Sequence, residues 1–387
     1  MVETSVYLHI PFCRRRCGYC DFNTFAGISH MIPAYVKALC TEIEAVAQQQ
    51  SQRVELATVF LGGGTPSLLS SQQYQQILET LHTHFDFASE IEITSEANPG
   101  TVTAESLAAL HDMGGTRMSF GMQSPHPQDL AVLNRQHRFE DVVNAVKWSH
   151  QAGFKHVNLD LIFAIPAQTL ERWRAALEMA VNFGVDHLSL YGLTIEEGTP
   201  LYRQYQRGLL DDIDEEVAAQ MFVEARSLLA QHGFTQYEIS NFARAGGMCR
   251  HNWNTWNYQP YFGLGAGAHG FVNGVRTRNA ASVAAYIQRM RAPQGEWPAA
   301  EEVAAIPFEE QMREWMFVGL RKTEAGVSRH DFTERFGRKI DEVFPEALAW
   351  CERNELLEEF GPERESLRLT DRGRLLGNQV FMQFLGE

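Results

Sequence analysis

Short apolar and β-branched runs alternate with amphipathic segments along the first 240 residues of the chain. The runs predict strands at 5–10, 56–61, 90–96, 116–121, 155–163, 187–191 and 235–240. The intervening segments have apolar residues at helical spacing and predict helices at 34–50, 71–84, 103–113, 139–152, 170–183 and 214–232. Strands that alternate with helices of this length indicate βαβ units around a parallel sheet. A closed eight-fold barrel lacking one or two units and an open doubly wound sheet both fit this pattern.

The pattern changes near residue 291. Residues 291–307 are rich in Pro, Ala and Glu and only weakly periodic, which predicts a domain boundary. Beyond it the sequence predicts helices at 308–322, 328–336 and 344–354, a strand at 365–370 and a last helix at 371–385. This order is typical of a small winged-helix-like α+β domain.

Composition limits the class of protein. A chain of 387 residues that is 44% apolar buries a substantial core, which excludes a disordered protein. The 48 acidic residues outnumber the 33 basic ones, and general nucleic-acid binding is disfavoured because it needs clustered Lys and Arg. No run approaches the roughly 18 apolar residues of a membrane span, and the first residues lack a secretion signal. We therefore expect a cytoplasmic protein.

Three of the six cysteines, Cys13, Cys17 and Cys20, lie close together in the sequence CRRRCGYC. Structural zinc sites usually take four ligands from two CxxC pairs, and this sequence has no second pair. Three thiolates suit a 4Fe–4S cluster whose fourth iron stays open for a ligand from outside the chain. A zinc site completed by His9 is the alternative.

Glycine and polar residues follow the predicted strands, at the end of the sheet where the loops of βαβ units gather. GGGTPS follows the second strand, and EANPG and GMQS follow the next two. Glycines without a Cβ let the backbone approach a ligand closely, although a plain strand-to-helix turn also explains them. For the polar residues taken singly, a capping or salt-bridge role is as well supported as ligand contact.

The segment YLHIPFCRRRCGYCDF resembles the signature loop of radical S-adenosylmethionine proteins of the coproporphyrinogen dehydrogenase-like branch. LGGGTPS, ITSEANPG, SFGMQS, LNRQH, NLDLIFAIP and LTIEEGTP resemble its barrel motifs in order, and LRLTDRGRLLGNQVF resembles its C-terminal module. The resemblance implies a partial (β/α)6 TIM-like barrel, a winged-helix-like C-terminal domain and a 4Fe–4S cluster on the three cysteines. It places S-adenosylmethionine at Tyr7, Tyr19, Gly62, Gly63, Gly64, Thr65, Glu96, Gln123, Arg135 and Asp160.

Three features resemble the shorter HemW-type haem chaperones more than the oxygen-independent coproporphyrinogen III oxidases. The oxidases have a further cysteine two positions after the third, where this chain has Asp21 and Phe22, and a longer segment ahead of the cluster. The segment 249–271 also resembles the chaperones' HNxxYW motif, matched by His251, Asn252 and Trp256, with Thr255 in place of Tyr. A neutral imidazole is a good axial ligand for haem iron, so His251 is the expected haem ligand. A loop that packs against the barrel is the alternative.

The resemblance implies a division into a radical SAM barrel with the cluster loop (1–240), a haem-motif loop and barrel extension (241–291) and a HemN/HemW-like C-terminal domain (308–387). It further implies a haem chaperone that delivers haem to haem-requiring respiratory proteins, with peripheral membrane contact during delivery. A flavodoxin or ferredoxin electron donor and a homodimer are expected partners. The enzymatic alternative is an oxygen-independent coproporphyrinogen III oxidase, which decarboxylates two propionates through a deoxyadenosyl radical. A purely structural iron–sulfur or zinc protein is a third alternative.

Overall fold

The computed structural model describes residues 3–385. The strands are β1 (Thr4–Ile10), β2 (Phe12–Cys13), β3 (Phe25–Ala26), β4 (Glu55–Gly63), β5 (Asp86–Ala97), β6 (Arg117–Gln123), β7 (His156–Phe163), β8 (His187–Gly192), β9 (Thr235–Gln236), β10 (Asn241–Ala243), β11 (Tyr261–Leu264), β12 (His269–Val272), β13 (Val275–Asn279), β14 (Ala300–Ala305), β15 (Val327–Ser328), β16 (Leu357–Phe360) and β17 (Ser366–Leu369). The helices are α1 (Ile32–Gln48), α2 (Ser71–His84), α3 (Ala104–Asp112), α4 (Pro127–Val132), α5 (Phe139–Ala152), α6 (Leu170–Asn182), α7 (Pro200–Gln206), α8 (Glu215–Gln231), α9 (Arg250–Trp256), α10 (Val283–Arg289), α11 (Phe308–Gly319), α12 (Arg329–Phe336), α13 (Ile340–Val343), α14 (Pro345–Arg353), α15 (Asp371–Leu375) and α16 (Gly377–Met382).

One twelve-stranded sheet dominates the molecule. Its strands β11, β1, β4, β5, β6, β7 and β8 lie side by side in this order and run parallel. Beyond β11 the antiparallel strands β12, β13 and β14 extend one edge, and beyond β8 the antiparallel strands β10 and β9 extend the other. Within residues 3–385 the two edges do not pair with each other, so the sheet is a partial barrel, which confirms the predicted fold class.

Side chains alternate between the two faces of each parallel strand, and this alternation separates core from interior. In β1, Val6, Leu8 and Ile10 are fully buried in the apolar layer that the helices cover. Tyr7 and His9 point to the opposite face, which encloses the barrel interior. The interior is therefore lined by polar and aromatic groups, and the carboxyl ends of the strands open onto one rim.

The strand predicted at 235–240 is wrong. The chain forms the two short strands β9 and β10 instead, with a bend between them. The side chain of Glu238 accepts a hydrogen bond from the backbone N–H of Ser240 at 3.0 Å, which stabilises the bend. The segment predicted as a domain boundary contains the edge strand β14, which pairs with β13. Most of its side chains are exposed on a sheet edge, so hydrophobic alternation is weak there.

The last part of the chain has a second apolar core of its own. There β15, β17 and β16 form a three-stranded antiparallel sheet beside α11–α16, and the predicted last helix is divided into α15 and α16. This C-terminal module is joined to the barrel through Glu314, which accepts hydrogen bonds from the Tyr258 hydroxyl at 2.6 Å and from both Nη atoms of Arg276 at 2.8 Å. Within residues 3–385, no helix is long and apolar enough to cross a membrane.

Candidate functional site

A cavity of about 400 Å³ opens at the carboxyl ends of the parallel strands. This volume lies within the usual range for sites that bind small molecules. The loops after successive strands form its wall, as the positions of parallel βα loops require. The predicted site residues in its lining are Cys13, Cys17, Tyr19, Cys20, Gly63, Gly64, Thr65, Glu96, Gln123, Arg135 and Asp160.

The three cysteine sulfurs face polar groups of this cavity. Arg135 Nη1 donates a hydrogen bond to Cys17 Sγ at 3.2 Å, and Thr65 Oγ1 donates to Cys13 Sγ at 3.6 Å. Cys20 Sγ lies 3.8 Å from Thr24 Oγ1. The Arg135 guanidinium thus places a positive charge beside the cysteine sulfurs. This charge would stabilise the thiolates and any anionic group bound to them.

The zinc alternative can be compared with the positions of the cysteine sulfurs and of His9. In a tetrahedral zinc site with bonds of 2.3 Å, the sulfurs lie about 3.8 Å apart. Across residues 3–385, three or more His, Cys, Asp or Glu ligand atoms lie within 4.8 Å of one another only at the exposed His330, Asp331 and Glu334. Both ring nitrogens of His9 are already engaged, by the Tyr7 hydroxyl and by the Asn23 carbonyl, each at 2.9 Å. The three sulfurs and His9 are therefore not grouped as the four ligands of a single zinc ion would be.

The glycine loop packs against the strand that leads into the cysteine loop. Gly63 has φ +99°, and a Cβ there would overlap the His9 ring. A Cβ on Gly64 would lie 2.6 Å from the Ile10 carbonyl oxygen, to which Gly64 N donates a hydrogen bond. These glycines are therefore required by contacts within the chain. Because Gly63 and Gly64 also line the cavity, the same backbone that fixes the cysteine loop faces the ligand space.

Two buried carboxyl groups lie on the wall of the cavity. Glu96 accepts a hydrogen bond from Gly63 N at 3.0 Å, and Asp160 accepts from Asn158 Nδ2 at 2.8 Å and from Ser119 Oγ at 3.4 Å. Burial, and then the charge of Asp160, raises the pKa of Glu96 to about 8. Burial raises the pKa of Asp160 to about 6, against the hydrogen bonds it accepts. Both groups are suited to pair with an amino group or hydroxyls of a ligand.

Arg135 and Gln123 form the next part of the wall. Arg135 Nη2 donates to the Gly121 carbonyl at 2.6 Å, while its buried Nε–H has no acceptor within the described residues 3–385. Gln123 ends β6 with φ +63°. A Cβ on Gly121 would lie 2.7 Å from Gln123 Nε2 and 2.9 Å from Arg135 Nη2, so a glycine there leaves room for both side chains. Sequence reasoning missed this role of Gly121.

Sequence reasoning also missed other lining residues, among them Asn98, Ser119, Tyr191 and Glu196. Three of them belong to a parallel strand or directly follow its carboxyl end, and Ser119 lies two residues before Gly121 on the same face of β6. Side chains on a strand alternate between its two faces, so every second residue counted back from a loop motif lies on the same face as that motif. This alternation is the sequence signal that identifies such lining positions.

The structure does not place Tyr7, Gly62 or His251 in the cavity lining. Tyr7 lies deeper in the barrel, where its ring stacks on Phe60 with centroids 6.2 Å apart. A Cβ on Gly62 would lie 2.8 Å from Phe60 Cε1, so this glycine makes room for a neighbouring ring. Tyr7 stands two strand residues further from the rim than His9, which explains its depth.

His251 belongs to α9, a helix that packs on the barrel interior away from the cysteines. Its ring stacks on Phe60 at 4.9 Å, and its Nδ1 is hydrogen-bonded to Thr58 Oγ1 at 2.7 Å. The backbone N–H of His251 donates to Glu92 at 3.0 Å. Burial lowers the pKa of His251 to about 4, so the imidazole is neutral at physiological pH.

The tryptophans of the same segment contact the protein itself. Arg321 lies over the Trp256 ring at 4.5 Å, and Lys322 lies over the Trp253 ring at 5.7 Å. Both cations follow α11 of the C-terminal module. The haem-motif segment is therefore packed between the barrel and that module.

Comparisons with known proteins agree with this architecture. Residues 7–180 match the family model of the radical SAM superfamily, and residues 306–376 match that of the HemN C-terminal domain. The solved coproporphyrinogen III oxidase (HemN) from Escherichia coli superposes with a TM-score of 0.85, covering 99% of this chain and 90% of that one, at 22% identity. That likeness shows the fold. The fold and the cysteine-lined cavity together define a radical SAM protein.

Curated relatives narrow the class. The "Heme chaperone HemW" of Bacillus subtilis is 38% identical over 384 residues, 99% of either chain. The protein of the same name from Mycobacterium tuberculosis is 41% identical over 279 residues, 71% of either chain. The chain belongs to the family of the heme chaperone HemW.

Proposed function

We propose that this protein binds haem and delivers it to haem-requiring respiratory proteins. The observation that carries the proposal is similarity along the whole chain to relatives named heme chaperone. The segment that would hold the haem iron is present as α9 and the residues around it. Phe22, which stands where the oxidases have a further cysteine, is 64% exposed at the cavity and supports the same assignment.

The radical SAM family implies a 4Fe–4S cluster and S-adenosylmethionine, and the residues of the cavity fit both. The cavity lined by all three cysteines and the buried Arg135 Nε–H, which has no acceptor within residues 3–385, are the observations that support this fit. Cys13, Cys17 and Cys20 would hold the cluster, and Glu96 and Asp160 would face the amino and ribose groups. When bound, the pair supplies one-electron cleavage of a C–S bond. In this proposal the cavity residues orient the cofactor and exclude water. Occupancy of the cavity by the cluster and S-adenosylmethionine then regulates haem transfer or dimerisation.

His251 is the proposed haem ligand. If its Nδ1–H donates to Thr58 Oγ1, the lone pair lies on Nε2, and that nitrogen accepts no hydrogen bond within residues 3–385. A hydrogen bond that fixes one ring nitrogen and leaves the other for the metal is the usual arrangement of a histidine ligand. His251 is only 7% exposed and its ring stacks on Phe60, so coordination requires α9 to turn away from the barrel interior. Haem binding should therefore be slow and should expose the α9 segment.

A haem titration of the cluster-loaded protein tests the proposal. We expect the Soret band of bound haem in the parent chain and its loss or shift in His251→Ala, because the axial nitrogen is removed. His269→Ala is the matched control, since His269 is an exposed histidine on β12. His251→Gln provides a less disruptive second variant. Equal, weak haem binding by the parent chain and both His251 variants would reject the haem assignment.

A cavity that is lined by three cysteines together with Glu96 and Asp160 favours one second candidate, an oxygen-independent coproporphyrinogen III oxidase. Anaerobic incubation of the reconstituted protein with coproporphyrinogen III, S-adenosylmethionine and reduced flavodoxin or ferredoxin decides between the two. We expect no decarboxylated product, and its formation would overturn the chaperone proposal. Sedimentation with and without haem tests the proposed homodimer.

A further inference from the structure

A chain of buried hydrogen bonds crosses the barrel interior from the cavity toward α9. The Tyr237 hydroxyl lies 2.8 Å from His187 Nε2, and His187 Nδ1 lies 2.7 Å from Asn158 Oδ1. Asn158 Nδ2 then donates to Asp160 Oδ1 at 2.8 Å. Tyr237, His187 and Asn158 are each less than 5% exposed. Of these four residues, only Asp160, at the end of the series of hydrogen bonds, faces the cavity.

The chemistry of the end group fixes the direction of every bond. A carboxylate only accepts, so the amide nitrogen of Asn158 faces Asp160 and its oxygen faces His187. His187 Nδ1 must then carry the proton, and in the neutral ring Nε2 accepts from the Tyr237 O–H. Burial keeps His187 neutral, because it lowers its pKa well below the ordinary value. All three donors therefore point toward the carboxylate.

Neighbouring groups hold the chain in this arrangement. Ser189 Oγ donates to Asn158 Oδ1 at 3.2 Å, and Asn158 Nδ2 also donates to Ser119 Oγ at 2.8 Å. An amide rotated by half a turn would set its oxygen against the Asp160 carboxylate and its nitrogen against the His187 N–H. Such a rotation costs at least two buried hydrogen bonds, so one orientation prevails.

We propose that Tyr237, His187 and Asn158 are positioning residues that orient the Asp160 carboxylate for the bound cofactor from inside the barrel. The proposal rests on the assignment of S-adenosylmethionine to the cavity. The Tyr237 ring also lies 6.3 Å from the Trp253 ring of α9, centroid to centroid. The far end of this series of hydrogen bonds therefore lies beside α9.

Calorimetric titration of S-adenosylmethionine into the cluster-loaded protein tests the proposal. Tyr237→Phe removes one neutral hydrogen bond and should weaken binding about three- to tenfold. Asp160→Ala should weaken it as well, and Tyr237→Phe should add nothing in the Asp160→Ala background, because its effect acts through that carboxylate. His187→Gln is the second variant, should Tyr237→Phe fail to fold, and should weaken binding similarly.

Tyr74→Phe is the matched control. Its buried hydroxyl is hydrogen-bonded to Ser95 Oγ at 2.9 Å on the helix-covered face of β5, away from the interior. A merely structural role for Tyr237 predicts the same loss of affinity with and without Asp160. An equal loss of affinity with and without Asp160 would overturn the proposal. So would an unchanged affinity in Tyr237→Phe or a parent-like affinity in Asp160→Ala. Haem binding is measured on the same samples, so failure of the haem assignment is recorded separately.

Discussion

Arg117 and Glu92 form a buried ion pair on which the position of α9 depends. Arg117 Nε donates to Glu92 Oε2 at 3.0 Å, and their side chains are only 2% and 7% exposed. Arg117 Nη2 also donates to the carbonyls of Gly247 and Met248, each at 2.9 Å, just ahead of α9. Glu92 in turn accepts the first backbone N–H groups of the helix. We predict that Arg117→Met strongly destabilises the barrel.

The expected magnitude follows from what the substitution leaves behind. Removal of one partner of a buried pair leaves an uncompensated charge and costs about 3–5 kcal/mol. Met keeps a similar apolar length, so cavity formation adds little. Burial acts to raise the pKa of Glu92, but Arg117 and the backbone N–H groups of α9 hold it below its ordinary value. This contribution is therefore present at neutral pH and is lost as acidification protonates Glu92 through its lowered folded-state pKa.

Urea unfolding monitored by tryptophan fluorescence measures the effect. Arg53→Met is the control, because the Arg53–Asp86 pair is 48% and 56% exposed, and such surface pairs contribute at most about 1 kcal/mol. Addition of Glu92→Gln to Arg117→Met should recover part of the loss, since it removes the buried charge. The reasoning is refuted if Arg117→Met lowers the free energy of unfolding no more than Arg53→Met does.

Three further predictions concern the cavity. Cys17→Ser should abolish the visible absorption of the reconstituted iron–sulfur cluster, whereas Cys40→Ser, on α1, should retain it. Gly63→Ala should cost about 1–3 kcal/mol of strain at positive φ, and its Cβ should also overlap a histidine ring of β1. Gly184→Ala is the control, because Gly184 has φ +73° and open space around it, so that substitution adds the strain alone. Equal losses of stability for the two variants in thermal unfolding would contradict the steric argument. The raised pKa of Glu96 should make the cofactor-free protein lose stability as pH rises from about 4.5 to about 8. Glu96→Gln should reduce the difference in the free energy of unfolding between pH 6 and pH 9. An unchanged difference in this variant would contradict the prediction.

The order of βα units and the place of the cavity were predictable from the sequence. Apolar periodicity is a local property, so the predicted bounds of α2 and α5 coincide with the structure. The place of the cysteine loop in the cavity was predictable too, because the three cysteines lie within one short segment. The bend at Glu238 was not predictable, because it depends on a side chain that accepts a backbone N–H group. The edge strand β14 was not predictable either, because its side chains are mostly exposed and leave no periodic signal.

The sequence by itself determined the class of fold, the grouping of three cysteines in one loop and the types of side chain that each loop presents. Only the tertiary structure decided where His251 lies, because α9 contacts strand residues far away in the chain, 159 residues distant in the case of Glu92. It also decided that Arg117 anchors α9 and that Tyr237 reaches Asp160. These relations depend on which side chains become neighbours once the sheet curves. Spacing along a chain carries no information about that, because burial and hydrogen-bond geometry are set by the packed interior as a whole.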